Sequence, residues 1–198
     1  MENFTDSLDQ FDPITLAEMD GVALMNRTDT KYVFGRDQLL KILEAVKDDY
    51  RILEIDGVRS SAYKTLYFDT PEMGFYRAHQ NGKKNRYKVR SRKYVESDIT
   101  FLEVKFKNNK GRTVKTRVNI DDFELDLSRE SNDFIEQTSG TNFNLVPSLW
   151  NSFNRITLVN QELPERVTID TQLAFEMGDE HVKMKNLVIA ELKQENAN

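Results

Sequence analysis

RYKVRSRKY (Arg86–Tyr94), FLEVKFKN (Phe101–Asn108) and VKTRV (Val114–Val118) are three neighbouring runs that alternate with period two. In extended conformation successive side chains point to opposite faces. The first run then sets Arg86, Lys88, Arg90 and Arg92 on one side, with Tyr87 and Val89 on the other. The second sets Glu103, Lys105 and Lys107 against Leu102, Val104 and Phe106. The third sets Lys115 and Arg117 against Val114 and Val118. Three strands, each apolar behind and charged in front, are expected here.

Between Lys83 and Arg117 there are thirteen Lys or Arg and three acidic residues, Glu96, Asp98 and Glu103, in a chain of net charge −5. Like charges facing each other across strands repel, so such a face calls for an anionic partner. A basic island in an otherwise acidic chain points to a specific anion site. General adhesion to nucleic acid or to a membrane surface usually goes with a basic domain.

Composition removes several classes of function. The chain has no cysteine, which excludes disulfides, thiolate catalysis and cysteine-bound zinc. With His79 and His181 as its only histidines, a metal would have to be a hard cation on carboxylates. No apolar run approaches the roughly 20 residues of a membrane helix. The start, MENFTDSLDQFDP, lacks the basic and apolar regions of a signal peptide, so cytoplasmic residence is the default expectation. At 198 residues the chain has the length of one domain. Residues 1–12 read as a flexible, polar start and 13–198 as a single domain.

Outward from the basic strands the pattern continues. Arg27 to Phe34 alternates as a strand with one charged face. RDQLLKILEAVKDD, with Leu39, Ile42, Leu43 and Val46, has helical spacing. Strands follow at Tyr50–Ile55, closed by the turn pair Asp56-Gly57, and over SAYKTLYFDT from Ser61. Short helices are expected at Pro13–Met19, Glu72–Gln80, Asn132–Gln137 and Pro147–Phe153. The stretch KNNKGR from Lys107 reads as a hairpin turn with Gly111 in the left-handed position. NRITLV, ERVTIDTQLAFEM and KNLVIAELKQ complete about eight strands, mostly adjacent in sequence. The fold class that follows is α+β: an eight-stranded antiparallel β-barrel with a charged lumen, flanked by short helices.

The ordered series RTDTKYVF, LYFDTPEMGFYR, KVRSRKY, FLEVKFK, KTR, RVTIDTQLAFE and VIAELK resembles the VTC domain. That family belongs to the triphosphate tunnel metalloenzymes, alongside the CYTH proteins and RNA triphosphatases. The resemblance spans roughly Pro13 to Lys193. It implies a basic tunnel that binds triphosphate or polyphosphate and transfers the terminal phosphoryl group of ATP to inorganic polyphosphate, with Mn or Mg as cofactor.

By the same resemblance, catalytic roles fall on Lys31, Arg90, Arg92, Lys105 and Arg155. Phosphate binding falls on Lys88, Lys115, Arg117 and Lys193, and metal binding on Glu191; on chemistry alone Asp170 or Glu103 are second candidates for the metal. ATP and inorganic polyphosphate or triphosphate are the expected partners. No nucleic acid is expected, nor a membrane segment in this chain, and a membrane protein is a candidate neighbour. The alternative functions are a tunnel triphosphatase acting on tripolyphosphate or a nucleoside triphosphate, and a polyphosphate-binding module without turnover.

The residue types suit this chemistry, because phosphoryl transfer relies on positioning and on charge stabilisation. Arg offers a planar fork and Lys a point charge. Ordinary roles stand beside the functional ones. Glu103 reads first as an orienter of Lys or Arg, Asp170 equally as an ion-pair residue, and Lys31 as a partner of Asp29 or Glu191. Tyr32, Tyr63, Tyr67, Tyr76 and Tyr94 suit packing more than base stacking.

Two departures from the family pattern stand out. The first strand carries Arg27, Asp29 and Lys31 where the superfamily has ExExK. The chain also stops at Asn198 without the family's last C-terminal segment, from which weakened or lost polymerase activity with surviving phosphate binding is expected.

Overall fold

The computed structural model describes residues 4–20 and 27–195. In chain order the elements begin with α1 (Phe4–Leu8), β1 (Pro13–Ile14), α2 (Leu16–Asp20), β2 (Arg27–Gly35) and α3 (Arg36–Val46). Then come β3 (Tyr50–Leu53), β4 (Ser61–Asp69), α4 (Gly74–Gln80), β5 (Arg86–Tyr94), β6 (Ile99–Lys107) and β7 (Thr113–Ile120). The last are α5 (Arg129–Ser139), β8 (Val146–Asn160), β9 (Glu165–Met177), β10 (Glu180–Met184) and β11 (Leu187–Glu195). Residues 1–3 of the expected flexible start, and the chain end at Asn198, lie outside the described residues.

The chain forms two compact units. One comprises the described residues of Met1–Ala62, Phe153–Ala174 and Lys183–Asn198, the other Tyr63–Ser152 and Phe175–Val182. In the first unit the strand order is β2-β11-β9-β8, and β3 pairs with both β8 and β1. β11 runs antiparallel to β2 and to β9. Helix α3 forms where the sequence places it, and its Leu39 and Leu43 are buried with Ile52, Ile156, Ile169 and Val188. Each such side chain contributes roughly 1.5–3 kcal/mol when fully buried.

The polar start departs from expectation from residue 4 onward. Phe4, Leu8 and Phe11 recur at helical spacing; Leu8 and Phe11 join this core and Phe4 packs against it. The Arg59 guanidinium fixes the segment by donating to the carbonyls of Leu8 and Phe11 at 2.7 and 3.1 Å. The helix expected at Pro13–Met19 is shorter. Pro13 and Ile14 pair in parallel with β3 instead, and the helix starts at Leu16.

In the second unit the order is β8-β4-β5-β6-β7, and β4, β5, β6 and β7 are successively antiparallel. Register decides which side chains share a face. On one face Phe68, Val89 and Val104 form a row across the strands, and Leu66, Ser91 and Leu102 form the next. Helix α5 covers that face with Ile135. It is longer than the expected Asn132–Gln137, because Ser128 caps its start by accepting from the Ser131 N–H at 3.1 Å and Gly140 ends it at φ +71°.

The hairpin between β6 and β7 turns at Gly111, φ +81°, with the Asn108 side chain accepting from the N–H groups of Lys110 and Arg112. Val114 and Val118 of β7, expected to back the third strand, are exposed, since β7 is the last strand in the order. The helix expected at Pro147–Phe153 does not form. Those residues belong to β8, whose Trp150 meets Phe123 edge-on with centroids 4.7 Å apart. Helix α4 begins at Gly74, later than Glu72, and the buried Asp69 carboxylate holds its start by accepting from the N–H groups of Phe75 and Tyr76.

Candidate functional site

The sequence-derived site residues fall into two groups, one in each unit. In the second unit, the face opposite the apolar rows carries the charge. Lys88, Lys105 and Lys115 lie in register across β5, β6 and β7. Tyr67, Arg90, Glu103 and Arg117 form the next row, and Thr65, Arg92 and Phe101 the one after. The structure thus brings together six of the expected cations, Lys88, Arg90, Arg92, Lys105, Lys115 and Arg117, around one carboxylate.

That carboxylate is fully buried. Glu103 accepts from Arg90 Nε at 2.6 Å through one oxygen and from Lys115 Nζ at 3.2 Å through the other. Burial acts to raise its pKa, but the Arg90 and Lys115 charges outweigh it and hold the carboxyl at about 2. Glu103 is therefore the orienter that the sequence suggests. Arg90 also donates to the Tyr67 hydroxyl at 3.3 Å, and Arg92 Nε to Thr65 Oγ1 at 3.0 Å. Both guanidinium residues are buried, at 7% and 8% exposure.

Lys105 feels the excess of positive charge most. Burial, with Arg90, Arg92 and Lys115 around it, pushes its ammonium down to about 7, against the pull of Glu103. Lys88 stands 3.4 Å from His79 Nε2. Arg117 is exposed and lies over the Phe101 ring at 4.3 Å.

In the first unit the charges are more nearly matched. Arg155 grips Asp170 through two bonds of 2.6 and 2.7 Å and lies over the Phe153 ring. Lys193, 8% exposed, bonds Glu191 and donates to Thr168 Oγ1 at 3.3 Å. Lys31, largely exposed, pairs with Glu191 at 3.8 Å, and Arg27 with Asp29 at 2.9 Å. Burial favours neutral Glu191, yet Lys193 and Lys31 hold its pKa below the usual carboxylate range.

Sequence reasoning missed Arg166, which sits in register with Lys193. Burial and the neighbouring Arg27 and Arg155 lower its pKa, and its Nε is buried with no hydrogen-bond partner among the described residues. Its alternation with Thr168 and Asp170 was the available signal. Tyr67 was read as packing. Its bond to Arg90 depends on the β4–β5 register, which the local pattern does not encode.

No group of three or more His, Asp or Glu side chains is placed to hold a metal among the described residues. The donors present fit only a hard cation that keeps water and takes most of its ligands from phosphate. Glu191, ionised and half-buried, suits that role. Asp170 has both oxygens on Arg155. None of the helices is long and apolar enough to cross a membrane among the described residues.

Fold and site together define a protein of antiparallel strands and short helices that presents a strongly cationic sheet face. The chain belongs to the VTC domain family, whose model matches residues 26–198, and so to the triphosphate tunnel metalloenzyme superfamily. Among solved structures it is similar to a Bacillus halodurans protein named for adenylate cyclase, at 12% identity and TM-score 0.55, covering 87% of this chain and 83% of that one. It is also similar to a Hippeastrum protein, HpAC1, named for adenylyl cyclase and described as having a dominant triphosphatase activity. That likeness is 13% identical, with TM-score 0.50, covering 86% of this chain and 79% of the other. At these identities the likeness is one of fold, and it agrees with the antiparallel tunnel-type class expected from the sequence. A search of curated proteins finds no match.

Proposed function

We propose that the chain binds a triphosphate or polyphosphate on the face of β5, β6 and β7 and transfers the terminal phosphoryl group of ATP to inorganic polyphosphate. One observation carries this reading: six cations surround a single buried carboxylate, and burial together with their repulsion drives Lys105 to about 7. An anion brought to that face removes the repulsion, so binding is strongest where charge is densest.

In the proposed reaction an oxygen of the terminal phosphate of the acceptor chain forms a bond to the γ-phosphorus of ATP. The bond from that phosphorus to its bridging oxygen breaks, and ADP leaves with the electron pair. Arg90 and Arg92, held by Glu103 and Thr65, offer their remaining N–H groups to equatorial oxygens. Lys105 and Lys115 offset the charge that develops on the leaving group. In the first unit, Arg155, oriented by Asp170, together with Lys193 and Lys31 forms a separate set of cations able to bind phosphate. Glu191 of the first unit would hold a Mg or Mn ion, which would supply charge neutralisation to phosphate.

Incubation of the purified protein with ATP and Mn tests the reading. Growth of an acid-labile phosphoanhydride polymer is the expected result, and absence of both polymer and tripolyphosphate binding overturns it. A second reading, hydrolysis of a triphosphate, is favoured by the activity named for the Hippeastrum protein of similar fold. Phosphate release without polymer would select it, and tight, salt-sensitive binding without either product would select a binding module.

A further inference from the structure

Beside the cationic face the second unit holds a cavity of about 520 Å³, and none of its lining has a role in phosphate binding except Lys88 and, through Arg90, Tyr67. Ligand pockets of about 300–1,000 Å³, apolar with a few placed polar groups, are the usual form of small-molecule sites. This one has flat π surfaces from Tyr67, Phe75, Tyr76 and Phe175, and a single buried carboxamide, Asn151. Tyr76 is 54% exposed, so the cavity has an open side.

Two residues join the cavity to the charged face. Tyr67 lines the cavity with its ring and receives Arg90 on its hydroxyl. Lys88 lines it too, stands by His79, and heads the row that continues to Lys105 and Lys115. A ligand seated here would therefore have a flat organic part among rings and an anionic part on the cations. An inorganic chain has no use for the first half of that arrangement, and a lipid tail has none for the carboxamide.

We propose that this cavity holds the base of a nucleoside triphosphate, with its phosphates running past Lys88 to Arg90, which makes the nucleotide and not tripolyphosphate alone the fitted ligand. Aromatic faces stack any base, and an amide matches the donor and acceptor edge of a purine. The inference rests on the phosphate-binding reading of the neighbouring face.

Calorimetry with ATP and with tripolyphosphate, on the wild-type chain and on Phe175→Ala and Ser148→Phe, tests it. Phe175→Ala removes a stacking face, and Ser148→Phe fills the cavity; neither residue belongs to the cationic rows. The expected result is an approximately tenfold loss of ATP affinity in each variant with tripolyphosphate affinity unchanged, since one stacked base is worth about 1–3 kcal/mol. As a measurement that needs no variant, 2-aminopurine riboside triphosphate should lose emission on binding the wild-type chain.

Unquenched probe that tripolyphosphate still displaces, or ATP affinity equal in wild type and both folded variants, overturns the base site and leaves the phosphate reading standing. Failure of the wild-type chain to bind either ligand overturns both.

Discussion

The two units hold their charges differently. In the first, Arg27, Arg155 and Lys193 each face a carboxylate partner in Asp29, Asp170 and Glu191, and Lys31 shares Glu191. In the second, six cations lie around the buried Glu103, which pairs with Arg90 and Lys115. Matched pairs hold side chains in position and leave little field for a ligand. An unmatched cluster is unfavourable until an anion arrives, and its instability is what makes it a receptor.

The largest expected contrast is in stability. Glu103→Gln removes the carboxylate that pairs with buried Arg90 and with Lys115 and should cost about 3–5 kcal/mol. Asp170→Asn leaves Arg155, which is 21% exposed, able to reach water, and should cost about 1–2 kcal/mol. Urea unfolding of both variants checks this, and an equal cost would erase the distinction between the units.

Ligand binding should divide the same way. Arg92→Ala should weaken tripolyphosphate binding by roughly 10–100-fold, the loss of charged hydrogen bonds worth about 1.5–3 kcal/mol. Lys31→Ala, at a side chain 68% exposed, should change it by less than about threefold. Titration calorimetry at fixed salt separates the two. If Lys31 matters more, the account has chosen the wrong face.

Much of this contrast is legible in the sequence, because period two in RYKVRSRKY and FLEVKFKN sorts cations from apolar residues without knowledge of the fold. Glu103 as an orienter is legible for the same reason, being the one acid on that face. What escapes is what pairing decides. Tyr67 acquires Arg90, and Arg166 comes to lie beside Lys193, only through register. The stretch PSLWNSF misleads because Leu149, Trp150 and Phe153 have helical spacing. In β8 Trp150 packs among rings while Leu149 lines the cavity, so both faces of the strand carry apolar residues and alternation is hidden. β10 carries no readable signal, since all of it is exposed.

A smaller effect follows from Lys105. Its folded pKa of about 7 lies below the ordinary 10.5, so between those values the unfolded chain binds more protons and stability should rise with pH. The same titration should weaken tripolyphosphate binding above pH 7, as the bound anion favours the charged ammonium. Unfolding and binding measured from pH 6 to 9 should show both trends in the wild type and neither in Lys105→Met. Smallest of all, Arg117→Lys, which loses a planar cation over Phe101 but keeps the charge, should cost about 0.5–1 kcal/mol in thermal unfolding.

A crystal structure of the chain with tripolyphosphate tests the unmatched cluster most directly. Phosphate oxygens should lie within hydrogen-bond distance of Arg90, Arg92 and Lys105, with Glu103 still holding Arg90 from behind. Tripolyphosphate seated elsewhere, with Arg90 bound only to Glu103 and Tyr67 and Arg92 still on Thr65, would contradict the account.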